Sequence, residues 1–194
     1  EEGPATGCVW DAIAAPLLLL PPGRRRRLLL LGLGGGSVAR IARALAPRAE
    51  PLCGTIAKMV SVDDTALRPA RALADGEELD LGGLSVRWID TPHLPHNWEC
   101  GHLFETTTRT LLCGDLFTQG GAGETALTES DILGPSEAFR APMEYYAHAP
   151  DTAKILERLA RERPATLAVM HGSAFRGDGA ALLRALAERL AERQ

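Results

Sequence analysis

The second half of the chain alternates between helix and strand patterns, and this alternation restricts the fold more than any other feature. Apolar positions recur on one face of a helix pattern over 152–163, which follows Asp151 and ends at Pro164. An apolar strand pattern over 166–170 comes next, and Asp178 begins a last amphipathic helix. Strands that alternate with helices build sheets covered by helices, so the sequence predicts an α/β fold.

Shorter strand patterns, separated by glycine turns, precede this region. Turn residues at 75–76 and 82–83 mark the ends of two of them. The predicted elements are strands over 77–81, 84–89, 101–105 and 110–113, the last two paired as a hairpin through 106–109, and a helix over 137–148 that is interrupted near Pro142.

Composition is that of a globular protein, with 45% hydrophobic and 24% charged residues. A net charge of -4 argues against nucleic acid or an anionic membrane as the main partner. Four arginines split the leucine-rich stretch over 14–36 into runs far shorter than the roughly 20 residues of a membrane-spanning helix. The cysteines form no CxxC pair, so we expect reduced thiols in a cytoplasmic protein: Cys8, Cys53, Cys100 and Cys113.

Three residues with metal-binding side chains each follow a predicted strand. They are His96, Asp115 and His171. Loops at strand ends converge in α/β folds, and functional sites collect there. Imidazole and carboxylate together suit zinc, iron or manganese rather than calcium. Taken singly, each residue also has an ordinary role, as a turn or core histidine or as a turn-forming aspartate.

The segments that hold these residues resemble metal motifs of a known family. Asp90-Thr91-Pro92 with His96, the segment 112–117 and the segment 170–172 are similar to the third, fourth and fifth motifs of the metallo-β-lactamase fold superfamily. The resemblance is closest to the branch that includes flavodiiron-type proteins and related hydrolases. It covers about 51–193 and implies the later half of an αββα sandwich with a bimetal site at one edge.

This resemblance also implies a role for each residue. His96 would bind the first metal, Asp115 would bridge the two metals, and His171 would bind the second. The ions would be zinc or iron, and Asp115 would be the catalytic residue of a metal-dependent hydrolase or related oxidoreductase. A metal lowers the pKa of bound water to near neutrality, so metal-bound hydroxide would act as the nucleophile.

His93 competes with His96 for the first-metal role. We prefer His96 because Glu99 and Gly101 follow it at the offsets that this branch of the family tends to have. Glu99 or His93 would then supply a further group, although a structural role for His93 is equally open. Structural roles are expected for the remaining histidines, His102 and His148.

The family's strongest motif, His-x-(His or Glu)-x-Asp-His, is missing, because no histidine precedes His93. Two alternatives follow. Three protein ligands are enough for a catalytic ion, so the chain is an enzyme with a reduced site. Otherwise it is a non-catalytic remnant that retains the packing of the sandwich. Under both alternatives, four apolar loop residues are expected either to line a small-molecule pocket or to belong to the core: Leu94, Trp98, Phe117 and Phe139.

Within residues 1–50, the segment 2–7 and the segment 28–40 with its glycine turn are similar to the N-terminal part of spermidine-synthase-like methyltransferase-fold proteins. A strand over 28–33, a glycine turn and a helix over 37–46 are expected there. Glycines let a backbone approach a ligand closely, so the resemblance implies an S-adenosyl ligand at Gly32, Gly34, Gly35 and Gly36.

The chain is therefore predicted to divide into residues 1–50 and 51–194. One account is a chimera of two fragments joined near residue 50. The other is a sandwich protein whose opening merely resembles a methyltransferase, since no convincing second strand with an acidic end follows Glu50.

Overall fold

The computed structural model describes most of the chain after residue 49. The predicted strand over 28–33, the helix over 37–46 and the segment 1–49 as a whole lie outside the described residues. The division at residue 50 therefore stays a prediction. The described residues are 50–65, 69–96, 98–121 and 125–192.

The described residues fall into two compact units, of which the first holds 50–53, 58–65 and 69–72. Strands β1 (Leu52–Gly54) and β2 (Arg71–Leu73) pair as a two-stranded sheet. Three short helical pieces lie between them in the chain: α1 (Thr55–Ala57), a π-helix (Lys58–Val62) and α2 (Asp63–Thr65).

The second unit, which holds the described residues 54–57, 73–96, 98–121 and 125–192, is built on a seven-stranded sheet of order β3-β4-β5-β6-β8-β9-β7. Neighbours from β3 to β6 are antiparallel, β6 and β8 are parallel, β8 and β9 are antiparallel, and β9 and β7 are parallel. Its strands are β3 (Glu78–Asp80), β4 (Ser85–Asp90), β5 (Gly101–Glu105), β6 (Thr110–Gly114), β7 (Leu127–Thr128), β8 (Thr166–Val169) and β9 (Ala174–Arg176).

The predicted hairpin of β5 and β6 is confirmed by its antiparallel pairing, with Leu103 opposite Leu112. A close approach explains one glycine at its start. A Cβ on Gly101 would lie 2.0 Å from Cζ2 of Trp88, so only glycine leaves room for the indole ring. That ring donates from Nε1 to Asp90 Oδ1 at 2.6 Å, a hydrogen bond within β4 that holds the indole at its place beside Gly101.

Three longer helices belong to this unit: α3 (Leu133–Met143), α4 (Thr152–Arg161) and α5 (Gly179–Ala191). The amphipathic pattern predicted for the last two is confirmed. α4 buries Leu156 and Leu159 completely, and α5 does the same with Leu183 and Leu186. Asp178 caps α5, since its Oδ1 accepts from the amide of Ala181 at 3.0 Å.

The predicted helix over 137–148 is wrong at both ends. α3 begins at Leu133, because the carboxylate of Asp131 accepts the amide of Leu133 at 2.8 Å and opens the first turn. It ends at Met143, one residue after Pro142. Glu144 then adopts a left-handed φ of 38° and donates its amide to Arg140 at 2.8 Å. Among the described residues, no helix has the length and apolar character needed to cross a membrane.

Candidate metal centre

The sheet brings three loop-bearing strand ends to one edge. β4 and β6 are both antiparallel to β5, so they run in the same direction, and β8 is parallel to β6. The carboxyl ends of β4, β6 and β8 therefore lie at the same edge of the sheet. His96, Asp115 and His171 follow these three ends.

The structure brings the three predicted ligands together around the carboxylate of Asp115. Nε2 of His96 lies 2.9 Å from Oδ2, and Nε2 of His171 lies 3.4 Å from Oδ1. The two imidazoles thus contact different oxygens of one carboxylate. The side chains of His96 and His171 are 48% and 58% exposed, so solvent reaches the group. Metal binding by these residues stays a prediction.

Within the described ranges, no three or more His, Cys, Asp or Glu side chains are arranged to hold a single metal ion. The donor set nevertheless fits a cation. Oδ1 of Asp115 is buried and accepts no hydrogen bond, and a buried carboxylate oxygen normally has a partner. Two imidazoles and a carboxylate are the donors of many iron and zinc sites.

The loop that carries His96 is closed by its own hydrogen bonds. The amide of Thr91 donates to the carbonyl of Cys100 at 2.9 Å, and the thiol of Cys100 donates to the carbonyl of His96 at 2.9 Å. Burial raises the pKa of this thiol, which keeps it protonated and able to donate. Leu94 is fully buried and anchors the middle of the loop in the core.

Asp115 is held through its own carbonyl oxygen. That oxygen accepts from the hydroxyls of Thr118 at 2.9 Å and Tyr145 at 3.0 Å. The Tyr145 ring packs on Tyr146, with ring centroids 4.8 Å apart, and the guanidinium of Arg140 lies over the Tyr146 ring at 5.6 Å. Sequence reasoning missed Tyr145, because a contact across 30 residues leaves no local pattern.

His171 is held by Gln119, another residue that sequence reasoning missed. The amide of Gln119 donates to the carbonyl of His171 at 2.9 Å. Its side chain donates to the carbonyl of Ser173 at 3.1 Å and accepts from the amide of Ser173 at 3.3 Å. The loop after β6 and the loop after β8 are therefore joined by three hydrogen bonds.

Left-handed backbone at non-glycine residues recurs in the ligand-bearing loops. His93 has a φ of 64°, Trp98 of 24° and Phe117 of 61°. Each such conformation costs about 1–3 kcal/mol and persists only where the surrounding structure over-determines it. Two hydrogen bonds hold this backbone: the amide of His93 donates to the carbonyl of Trp98, and the side chain of Gln119 donates to the carbonyl of Phe117, each at 3.2 Å. Such clusters of strain are typical of functional sites.

The other predicted site residues have different locations. His93 is exposed, and Glu99 has a buried Oε2 without a hydrogen-bond partner. His148 is exposed and lies 3.3 Å from Glu144, and its structural role stays a prediction. The four glycines predicted to face an S-adenosyl ligand, Gly32, Gly34, Gly35 and Gly36, lie outside the described residues.

The four apolar loop residues divide between core and surface. Leu94 and Phe117 are fully buried and belong to the core, whereas Trp98 is 58% exposed. Phe139 is half-buried against Gly120, where an added Cβ would lie 2.7 Å from its Cδ2. Of these four residues, Trp98 is therefore the most exposed to solvent.

Several solved structures are similar to this chain. Rubredoxin oxygen:oxidoreductase from Desulfovibrio gigas aligns with a TM-score of 0.71 and 20% identity, over 93% of this chain and 46% of that one. A metal-soaked Flv1 flavodiiron core from Synechocystis aligns with a TM-score of 0.69 and 19% identity, over 95% and 48%. A flavo di-iron protein mutant from Thermotoga maritima aligns with a TM-score of 0.69 and 15% identity, over 90% and 46%.

The chain has a metallo-β-lactamase-like fold. The predicted α/β class is thereby confirmed, and the chain spans about half the length of these three structures. No protein-family model matches this chain, and neither does any curated protein. The comparisons give no support to a chimera with a methyltransferase-like opening.

Proposed function

We propose that this chain is a metal-dependent oxidoreductase-type domain that binds iron through His96, Asp115 and His171. The observation that carries the proposal is the carboxylate of Asp115, whose two oxygens each lie next to a different imidazole. Asp115 would hold the iron together with His96 and His171, which flank its carboxylate. The buried Oδ1 without a hydrogen-bond partner supports a cation at this carboxylate.

Bound iron would supply electron exchange at coordination positions open to a small substrate. The chain's own residues orient the donors: Tyr145 and Thr118 hold the backbone of Asp115, and Gln119 holds the backbone of His171. The half-exposed imidazoles leave the site open to a small molecule. Because the chain offers fewer donors than the family's full motif, we expect it to hold one or two ions.

Redox chemistry is preferred to hydrolysis because the similar structures are named flavodiiron proteins and an oxygen:oxidoreductase. Hydrolysis by metal-activated water remains the second candidate, since the sequence motifs resemble the wider hydrolase superfamily and zinc suits the same donors. Oxygen consumption by the iron-loaded protein with a chemical reductant tests the first candidate. Ester hydrolysis by the zinc-loaded protein tests the second.

Metal binding itself is tested by thermal unfolding with and without iron(II), under anaerobic conditions, after removal of metals by a chelator. A ligand at 100 times its dissociation constant adds about 2.7 kcal/mol to the free energy of unfolding. We expect stabilisation of the wild type and of His148→Ala, which alters an exposed histidine paired with Glu144. His171→Ala should lose it.

The non-catalytic remnant is the alternative that these measurements separate from the proposal. If wild type and His171→Ala respond alike to iron and to zinc, the site does not bind metal. Less than a tenth of an equivalent of metal in protein purified without chelator, measured by elemental analysis, would lead to the same conclusion.

S-adenosyl binding at Gly32 and Gly34–Gly36 is a separate proposal from the sequence alone. Equilibrium dialysis with S-adenosylmethionine tests it directly. Absence of binding at millimolar ligand would exclude it without bearing on the metal site.

A further inference from the structure

His102 is a buried histidine that lies between two of the ligand-bearing segments. It is the second residue of β5 and is 3% exposed. Its Nδ1 lies 2.8 Å from the hydroxyl of Thr91, and its Nε2 lies 3.1 Å from the carbonyl oxygen of Cys113. Both ring nitrogens therefore have a partner, and the partners belong to different segments.

The partners determine which nitrogen carries the proton. A carbonyl oxygen only accepts, so Nε2 of His102 must be protonated to donate to Cys113. Burial lowers the pKa of His102 to about 4, so the ring is neutral near pH 7 and Nδ1 carries no proton. Nδ1 then accepts the single hydroxyl proton of Thr91 over 2.8 Å, in preference to the carbonyl of Leu94, which lies 3.2 Å from the same oxygen.

The two hydrogen-bond partners of His102 lie close in the chain to the predicted ligands. Thr91 is the first residue after β4 and begins the loop that carries His96. Cys113 lies two residues before Asp115. The sheet ladder fixes β4 and β6 on either side of β5, but the loop from Thr91 to His96 lies beyond the ladder. The imidazole of His102 is thus a direct side-chain link between the loop of His96 and the strand end of Asp115.

We propose that His102, with the hydroxyl of Thr91, is a positioning residue of the metal centre that holds His96 and Asp115 at their observed separation. The inference rests on the proposed metal site. The link that His102 makes between the loop of His96 and the strand end of Asp115 can be tested without metal. Residues that orient metal ligands typically affect metal affinity by 10–100-fold when they are changed.

The first experiment measures amide hydrogen exchange of the metal-free protein. His102→Phe retains an aromatic ring of similar size but removes both hydrogen bonds. We expect peptides over 91–100 and 113–118 to exchange at least several-fold faster, with exchange in α4 and α5 unchanged. Unchanged exchange over 91–100 would overturn the inference, whatever the protein binds.

The second experiment titrates the protein with cobalt(II), a spectroscopic substitute for iron or zinc, and follows its visible absorption bands. We expect His102→Phe to weaken cobalt binding roughly 10–100-fold and to shift the bands. His102→Gln, which retains an amide donor near Cys113, should restore part of the affinity. Wild-type affinity and bands in His102→Phe would overturn the inference.

Two further variants distinguish a loss of ligand positioning from a loss of folding or of core stability. Thr91→Val removes one hydrogen bond and should weaken cobalt binding less than His102→Phe does, so it carries the test if His102→Phe does not fold. Leu183→Ala destabilises the core through α5 and should leave cobalt affinity unchanged in conditions where it is folded. If the wild type binds no cobalt, the proposed function fails, while the exchange experiment still decides the role of His102.

Discussion

The main-chain amide of Gln119 donates to the carbonyl oxygen of His171 at 2.9 Å, which joins the loop after Asp115 to the loop that carries the second histidine. The chain between these loops includes α3, α4 and β8. The side chain of Gln119 reinforces the join through Ser173. The position of His171 therefore depends on packing between loops rather than on its own loop alone.

Gly172→Ala should disturb the hydrogen bonds that Gln119 makes with His171 and Ser173. Gly172 has a φ of 104°, and a Cβ there would lie 2.6 Å from the Cβ of Gln119. The strained backbone alone costs about 1–3 kcal/mol of unfolding free energy, and the collision also displaces Gln119. We expect lower stability in chemical denaturation and a weaker stabilisation by iron(II) than in the wild type.

Gly83→Ala is the matched control for that variant. Gly83 has a similar φ of 112°, but an added Cβ would meet no atom within 4 Å. It should lose stability through strain while its response to iron stays that of the wild type. An equal loss of iron response in both variants would contradict the role assigned to Gln119.

Arg140→Met should destabilise the fold strongly. The guanidinium is completely buried and contacts the carboxylates of Glu137 and Glu144, each at 2.6 Å. Its removal leaves Glu137 half-buried without a cation, and the loss of one partner of a buried pair costs roughly 3 kcal/mol or more. Urea denaturation measures the change. Arg161→Ala, at a 76% exposed arginine paired with Glu157, should change stability by less than about 1 kcal/mol.

Glu105 should make the fold sensitive to strong acid. The hydroxyl and amide of Thr108, together with the amide of Thr107, donate to its carboxylate and lower its pKa from 4.5 to about 2. A lowered pKa gives stability that is present above pH 4.5 and is lost as the pH falls through about 2. The stability difference between wild type and Glu105→Gln should therefore shrink over this range. A difference that is constant with pH would show that the carboxylate is not held in this way.

His102 should contribute a different pH dependence, at milder acidity. Burial lowers the pKa of His102 from 6.5 to about 4. Between these two pH values the unfolded chain binds a proton at this ring, whereas the folded chain does not. Stability is fully present above pH 6.5 and falls as the pH drops towards 4, by roughly 3 kcal/mol. Metal-free wild type should show this loss in denaturation at pH 4–7, and His102→Phe should not. Parallel pH profiles for the two proteins would contradict the neutral, buried state of the ring.

Sequence reasoning identified the three residues that meet at the site but not the groups that hold them. His96, Asp115 and His171 each follow a strand, and a strand end is visible in a local pattern. Tyr145 and Gln119 act across 30 and 54 residues of chain, respectively, so no periodicity or spacing points to them. The predicted extent of α3 was wrong for a related reason. The carboxylate of Asp131 accepts the amide of Leu133 in the first turn, and this role was not recognised from the sequence.

The sequence by itself determined the α/β class, the hairpin of β5 and β6 and the buried faces of α4 and α5. It also determined that His96, Asp115 and His171 lie at strand ends. Each of these features depends on residues close together in the chain. Only the tertiary structure decided that the two imidazoles contact opposite oxygens of Asp115. That geometry depends on the parallel pairing of β6 with β8 and on hydrogen bonds between separate loops. Such contacts form between segments that are brought together only when the whole sheet is assembled.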